Sequence, residues 1–333
     1  MALLSDMNPN LLDIARRTDP DGKIATIVEL MSQQNPILQD MVVQECNNGS
    51  IHRTTIRTGF PAGTWRKLYQ GVQPEKSTTR QINDACGMLE TYSQADKALV
   101  EMAPDKARFL LTESQAFIEG LNQTMASTTF YGDSSVNPER FTGLAPRYNS
   151  YGTNPEKSSF NVINAGGTGS DNTSIWLVYW GSQTVHGLYP KGSKAGLSHE
   201  DLGEVTQVNS DGSMYQVYRN HYKWDLGLSV RDWRYVARIA NIDLNALEGS
   251  SAPDLITLMI KAAHKIPSTS MGRPAIYCNK DIATYLDLQA MKKENMMLTY
   301  SEVDGKPMTS FRGIPIRVCD AILNTEAAVS ADA

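Results

Sequence analysis

The side chains of this chain that could do chemistry are few and scattered. The five histidines are His52, His186, His199, His221 and His264, and no two lie closer than 13 residues. His199-Glu200 begins a zinc-protease pair, but Gly203 stands where the second imidazole is required, and one imidazole on a helix face does not hold zinc. Asp19-Pro20-Asp21-Gly22 is similar to the start of a calcium loop, yet Lys23 and Ala25 occupy positions that must supply oxygen, so an exposed turn is expected. Gly166-Gly167-Thr168-Gly169-Ser170 lacks the Gly-Lys-Ser/Thr end that grips phosphate and the third glycine of a dinucleotide site, and reads as a flexible loop. No Gly-x-Ser-x-Gly elbow is present. Cys46, Cys86, Cys278 and Cys319 are far apart with no Cys-x-x-Cys, and read as reduced thiols that pack as small apolar groups. The expectation is no catalytic residue, no metal and no cofactor. An enzyme would have to assemble a site from residues distant in sequence, as a cytoplasmic hydrolase or transferase could.

Composition narrows the class further. The chain has 333 residues, 31 basic against 36 acidic, for a net charge of −5, with 41% hydrophobic and 20% charged residues. Disorder of the whole chain is excluded and a sizeable core is allowed. A dedicated nucleic-acid binder would be strongly basic. The longest apolar or aromatic run, Ile175 to Trp180, has six residues, whereas a membrane helix needs about 20. The first residues show no basic region followed by an apolar stretch, so no secretory signal is expected.

The elements follow from periodicity and punctuation. Residues 1–45 read as an arm with helical patterns at Asn10–Arg17 and Ile24–Gln33, closed by Asn35-Pro36. Residues 46–92 read as an extended excursion: β-rich residues from Ile51, a turn at Phe60-Pro61-Ala62-Gly63, and a return over Trp65 to Val72. Thr112 with Gln115 predicts a capping box opening a helix over about 113–130. Phe117, Ile118, Leu121 and Met125 would form its apolar face, and Gly132 a left-handed cap. From Ser150 to Ser174, 18 of 25 residues are Gly, Asn, Ser, Thr, Pro or Asp, a loop or junction. Ile175–Trp180 then predicts a fully buried strand, Met214–Arg219 and Tyr222–Val230 a hairpin, and Tyr235–Ile242 a further strand. Helices follow at Asp254–Lys265, with Pro253 in its first turn, and at Asp281–Lys292, capped by Asn279, with a short strand Pro274–Asn279 between them. The stretch Met296 to Ile322 is β-rich, with Asp304-Gly305 as a hairpin turn. Between Tyr215 and Arg238, six Tyr and Trp residues are interleaved with Arg and Lys. A stacking surface for single-stranded nucleic acid would look like this, but strands with aromatics turned to the core suit an acidic chain better.

Three local patterns bear on family. They are Thr129-Phe130-Tyr131-Gly132-Asp133 followed by Pro138-Glu139-Arg140-Phe141-Thr142-Gly143-Leu144; Trp224-Asp225-Leu226-Gly227-Leu228-Ser229-Val230 followed by Asp232-Trp233-Arg234-Tyr235-Val236 and Arg238-Ile239-Ala240-Asn241-Ile242; and Phe311-Arg312-Gly313-Ile314-Pro315-Ile316-Arg317 followed by Asp320. In this order, over nearly the whole chain, they resemble the major capsid proteins of tailed, especially short-tailed, bacteriophages. The resemblance implies an α+β Hong Kong 97-type phage capsid fold with N-arm, E-loop, P-domain with long spine helix, and A-domain. Carried onto this chain, 1–45 is the arm, 46–92 the E-loop region, 93–165 the P-domain with its spine helix, 166–295 the A-domain, and 296–333 a β-rich segment returning to the P-domain. It implies self-assembly into hexamers and pentamers of an icosahedral head, in the virion, assembled in the bacterial cytoplasm and enclosing double-stranded DNA without sequence-specific contacts. Scaffold and portal proteins would be partners during assembly. An encapsulin-like compartment shell shares this fold and is the alternative. Lys67 and Lys76 lie where some relatives carry a crosslinking lysine, but nothing else nearby matches and no crosslink is expected; a cementing or decoration protein is then a partner in prospect.

Charge distribution meets the resemblance. Residues 51–80 carry Arg53, Arg57, Arg66, Lys67, Lys76 and Arg80 against Glu75, net +5, while residues 90–119 are net −3. A basic loop too polar to be buried by its own chain predicts contact with a neighbouring copy. The expected inter-subunit residues are Arg53, Arg57, Arg66 and Lys67, with Phe60 and Trp65 as apolar anchors, facing Glu101, Asp105, Glu113 or Glu119 of the neighbour.

Overall fold

Nine consecutive buried residues, Asn172–Trp180, organise the molecule. Side chains alternate across a strand, so Trp176, Val178 and Trp180 enter one core and Ile175, Leu177 and Tyr179 enter another on the opposite face. A strand buried on both faces has no polar alternation, which is why this stretch reads as one apolar run. The computed structural model describes residues 32–247, 253–291, 298–303 and 306–332. The helical pattern Asn10–Arg17, nearly all of Ile24–Gln33, the turn at 19–22 and Asp304-Gly305 lie outside the described residues.

In chain order the elements are helix α1 (Ile37–Asp40), strands β1 (Val43–Glu45), β2 (Ile51–Gly59) and β3 (Thr78–Asp96), and helices α2 (Lys97–Met102) and α3 (Lys106–Tyr131). Strands β4 (Ser150–Tyr151), β5 (Val162–Asn164), β6 (Asn172–Trp180), β7 (Val185–Tyr189), β8 (Leu197–Val208), β9 (Met214–Val230) and β10 (Val236–Asp243) follow. The chain closes with helix α4 (Leu255–Lys265), β11 (Arg273–Cys278), helix α5 (Lys280–Met291), β12 (Leu298–Val303), β13 (Lys306–Phe311), β14 (Ile314–Val318) and β15 (Ser330–Ala331). One mixed sheet runs β12-β13-β14-β11-β6-β7-β9-β3-β2, with β1 on β7, β10 on β6, β5 on β10 and β8 on β9.

The C-terminal half of α3 covers one face with Met125, Ala126 and Phe130. Helices α4 and α5 cover the other with Leu255, Met259, Ile282 and Leu286. Asn279 Oδ1 accepts the Asp281 and Ile282 amides and caps α5 as its sequence predicts. Four other predictions need correction. Helix α3 starts at Lys106, because Asp105 accepts the Arg108 amide at 3.1 Å; Thr112 lies inside the helix and donates to the Arg108 carbonyl. An aspartate at the N-cap also meets the positive end of the helix dipole. Helix α4 is likewise capped by Asp254, with Pro253 outside it. Met214–Val230 is one strand: Asn220 and His221 lack turn chemistry, and its hairpin partner is β8, reached through a turn with Gly212 at φ +84. Gly132 is not left-handed, with φ −57. It is glycine because a Cβ would meet the Phe141 carbonyl at 2.4 Å; Gly143 packs equally close to the Thr128 carbonyl.

The tail is held by a buried ionic cluster. Arg238 donates to Glu326 at 2.9 Å, to Ser174 at 3.0 Å and to the Tyr148 carbonyl at 2.8 Å, and lies 4.9 Å from the Trp176 ring. Glu326 also accepts from Tyr131 at 2.5 Å and from Ser174. Asn241, at φ +61 where β10 departs from regular pairing with β6, exchanges two hydrogen bonds with the Val329 backbone. Both charges of the pair are about 5% exposed, so removing one strands the other. Glu326→Ala is therefore expected to cost about 3–5 kcal/mol of unfolding free energy, read as a fall in the urea midpoint. A loss below about 1 kcal/mol would show that the cluster does not anchor the tail.

Candidate assembly surface

The β2–β3 hairpin has a fixed root and an uncovered tip. Strand β3 is nineteen residues long. It pairs with β9 from Cys86 opposite Gly227 to Asp96 opposite Val217, and continues past that sheet to pair with β2 from Ala85 to Thr78. Asp84, 3% exposed, sits at the transition and accepts from Arg147 at 2.8 Å and from Ser229 at 2.8 Å. Arg147 also donates to the Leu228 carbonyl at 3.1 Å. Three segments far apart in sequence therefore meet at one carboxylate. Gly227 in β9 is required there, since a Cβ would fall 2.8 Å from the Ala85 carbonyl.

Beyond the root every residue from Phe60 to Gln81 is exposed. Trp65 is 99% exposed, Tyr69 103%, Leu68 82% and Phe60 80%. The return strand begins at Thr78, not at Trp65; residues 60–77 form a tip in which the Gln70 amide bonds the Lys67 carbonyl and Tyr69 takes φ +66. Pro74 and the run of exposed side chains leave no partner strand for Trp65–Val72 to pair with. Arg57 lies 5.9 Å from the Phe60 ring, and Arg53 donates to Asn83 at 3.0 Å. Arg66 and Lys67 make no ion pair with a described residue.

The acidic candidates are placed differently. Asp105 caps α3, and Glu119 accepts the Gln33 amide at 2.8 Å and the Gln123 side chain at 2.9 Å. Glu101 is exposed and only 3.7 Å from Lys106, a loose pair. Glu113 is half-buried on α3. The same region exposes Met102 (58%), Leu111 (60%) and Ile118 (40%), so Ile118 is not on the buried face the sequence pattern assigned to it. Within the one chain, the basic tip and these acids are not brought together by any ion pair among the described residues.

Other residues with chemical potential have structural placements. His199 stacks on Tyr222 and bonds Asn220 on strand β8, not on a helix. Among the described residues no group of His, Cys, Asp and Glu could hold a metal. The interleaved stretch turns Tyr222 and Tyr235 inward, leaves Tyr215, Tyr218, Trp224 and Trp233 half-buried, and pairs Lys223 with Glu90 and Arg234 with Asp232. Sequence spacing missed one meeting: His52 of β2 and His186 of β7 lie with ring centroids 5.6 Å apart, edge to face.

Burial, reinforced by the neighbouring His52, pushes His186 down to about 4. The unfolded chain then binds a proton that the folded chain refuses. The stability His186 contributes is full above about pH 6.5 and is lost as pH falls towards 4. The loss is at most about 3 kcal/mol at 1.36 kcal/mol per pH unit. His186→Gln is expected to flatten the fall in melting temperature between pH 7 and pH 4.5. An identical slope in both proteins would remove His186 as its source.

The three sequence patterns now have physical content: Gly132 and Gly143 close the end of α3, Gly227 and Ser229 seat β3, and Arg312 and Gly313, both at positive φ, turn β13 into β14. Over residues 19–330 the chain matches the family described as Major capsid protein GP7. A chain of the bacteriophage Epsilon15 structure is 39% identical, covers 99% of each chain and superposes with a TM-score of 0.79. A bacteriophage JBD30 capsid chain is 9% identical over 88% of this chain and 93% of its own, with a TM-score of 0.48. A chain of the SrpI encapsulin complex of Synechococcus elongatus PCC 7942 is 11% identical over 73% and 97%, with a TM-score of 0.44. No curated protein matches. The family match and the 39% identity decide between the two shell readings in favour of the phage coat: the chain belongs to the GP7 family of major capsid proteins, virion coat proteins with the Hong Kong 97-type fold.

Proposed function

We propose that this coat protein builds hexamers and pentamers of an icosahedral, DNA-filled head by seating the tip of its β2–β3 hairpin on a neighbouring copy, and that it catalyses no reaction. The observation that carries this reading is Trp65 at 99% exposure, among Phe60, Leu68 and Tyr69, on a hairpin whose root is rigidly held. Several large apolar side chains left exposed on one short segment mark an interaction site. The proposed receiving surface takes the exposed apolar residues Met102, Leu111 and Ile118 together with Glu101, Asp105, Glu113 and Glu119, which lie near them in sequence. In domain terms, 1–45 is the arm, 46–92 the E-loop, 93–165 with 296–333 the P-domain whose spine is α3, and 166–295 the A-domain. At 26 residues α3 is about 39 Å long, suited to stiffen that domain. Assembly takes place in the host cytoplasm with scaffold and portal proteins, and a decoration protein reinforces the shell. A net charge of −5 suits a container that holds DNA by enclosure.

Magnitudes rank the contacts. Burying a large apolar side chain contributes about 1.5–3 kcal/mol, whereas an exposed ion pair contributes about 0.2–1 kcal/mol and is screened by salt. The aromatics should dominate affinity, and Arg53, Arg57, Arg66 and Lys67 should set register and encounter rate. Phe60→Ser with Trp65→Ser is expected to abolish shells at any salt, by negative-stain microscopy and sedimentation, with the circular dichroism unchanged. Arg57→Glu with Arg66→Glu is expected to block assembly at normal salt. Normal shells from both double variants would sink the hairpin-docking reading.

A further inference from the structure

At the root of the hairpin the sulfurs of Cys46 and Cys86 lie 3.3 Å apart, although 40 positions separate the residues and both are free thiols. Their backbones are held independently of the sulfurs. The Cys46 amide donates to the Tyr189 carbonyl at 2.9 Å, and the Cys86 amide to the Ser50 carbonyl at 2.9 Å. Gly227 crowds Cys86 from the other side, where a Cβ would stand 3.1 Å from its sulfur. A disulfide bond is ~2.05 Å long, so the two sulfurs have only about 1.3 Å left to close. Cys46 is 2% exposed, whereas Cys86 is half-buried and within reach of a small reagent.

We propose that Cys46 and Cys86 are a thiol–disulfide exchange site, closed into an intramolecular disulfide by a low-molecular-weight disulfide of the glutathione class. Cys86, as thiolate, attacks one sulfur of the oxidant, forming a mixed disulfide and releasing one small thiolate. Cys46, as thiolate, then attacks the Cys86 sulfur, forming the protein disulfide and releasing the second. Two protein thiols are oxidised, one small disulfide is reduced to two thiols, and the two protein protons pass through solvent to the released thiolates. Burial raises both cysteines above the ordinary thiol range, so exchange is slow near neutrality and quickens with pH. The bond ties the segment after β1 to β3 across the foot of the hairpin. It adds a covalent tie to a root already held by hydrogen bonds and leaves the tip at 60–77 free. A coat protein would thus keep that root open to exchange in a reducing cytoplasm and covalently closed outside the cell. Cys278 and Cys319, both 0% exposed, provide an internal comparison.

The test uses the full chain, purified reduced and incubated with oxidised glutathione in mildly alkaline buffer, then alkylated under denaturing conditions and mapped by mass spectrometry. The expected product is a Cys46–Cys86 linked peptide in most chains, with Cys278 and Cys319 alkylated. Cys46→Ser is expected to stop at a glutathione adduct on Cys86, and Cys86→Ser to leave Cys46 alkylated. The proposal is overturned if wild-type protein accumulates the Cys86 adduct without the linked peptide. It is equally overturned if both thiols stay alkylated under conditions that oxidise the denatured chain. The wild-type map decides alone should a serine variant fail to fold.

Discussion

Burial of β6 on both faces is the constraint on which the rest of the structure depends. A strand with Trp176, Val178 and Trp180 on one side and Ile175, Leu177 and Tyr179 on the other cannot be stable as part of an open sheet. It requires a layer on each face, and the chain supplies them from opposite ends: α3 from one side, α4 and α5 from the other. Once those layers are in place, buried polar groups must be satisfied. The C-terminal tail is drawn across the α3 side to bring Glu326 to Arg238. That pair is costly to bury, and it ties residues whose separation in sequence is 88 positions.

The hairpin is the complement of that core. Its strand β3 begins beyond β9, paired to β2 from Thr78 to Ala85, and ends paired to β9 from Cys86 to Asp96. Asp84 marks the boundary, with Arg147 and Ser229 on it. On one side of this residue, chain entropy is offset by packing; on the other, apolar side chains stand in water. In a protein that acts alone such a tip would be an aggregation hazard. On the docking reading proposed above, the same tip becomes the means of association, because each copy would stabilise it by finding another copy.

Legibility in the sequence followed the range of the interactions. The buried strand at 175–180, the cap at Asn279 and the strand expected at 235–242, observed at Val236–Asp243, depend on neighbours in the chain and are readable from it. The start of α3 departs from the Thr112 box because Asp105 caps the helix seven residues earlier, which lets α2 and Phe109 pack against Tyr218. Gly132 reads as a left-handed cap because that is what glycine most often supplies at a helix end. Its actual reason, a carbonyl of residue 141 at 2.4 Å from where a Cβ would stand, comes from a segment that folds back. The continuous strand 214–230 reads as two pieces because its partner, β8, is not encoded in its own residues.

By itself the sequence determined that the chain has an apolar strand needing cover on both faces, an excursion of net charge +5, no local catalytic motif, and three patterns shared with phage coat proteins. Each of these is a property of composition or short-range order. Only the tertiary structure decided that Asp84, Arg147 and Ser229 meet, that His52 faces His186, that Cys46 touches Cys86, and that Trp65 stays almost fully exposed. Those pairings join residues 40 to 145 positions apart. No local periodicity encodes them, because they arise when β3 takes its register against β9 and brings the rest of the chain into place.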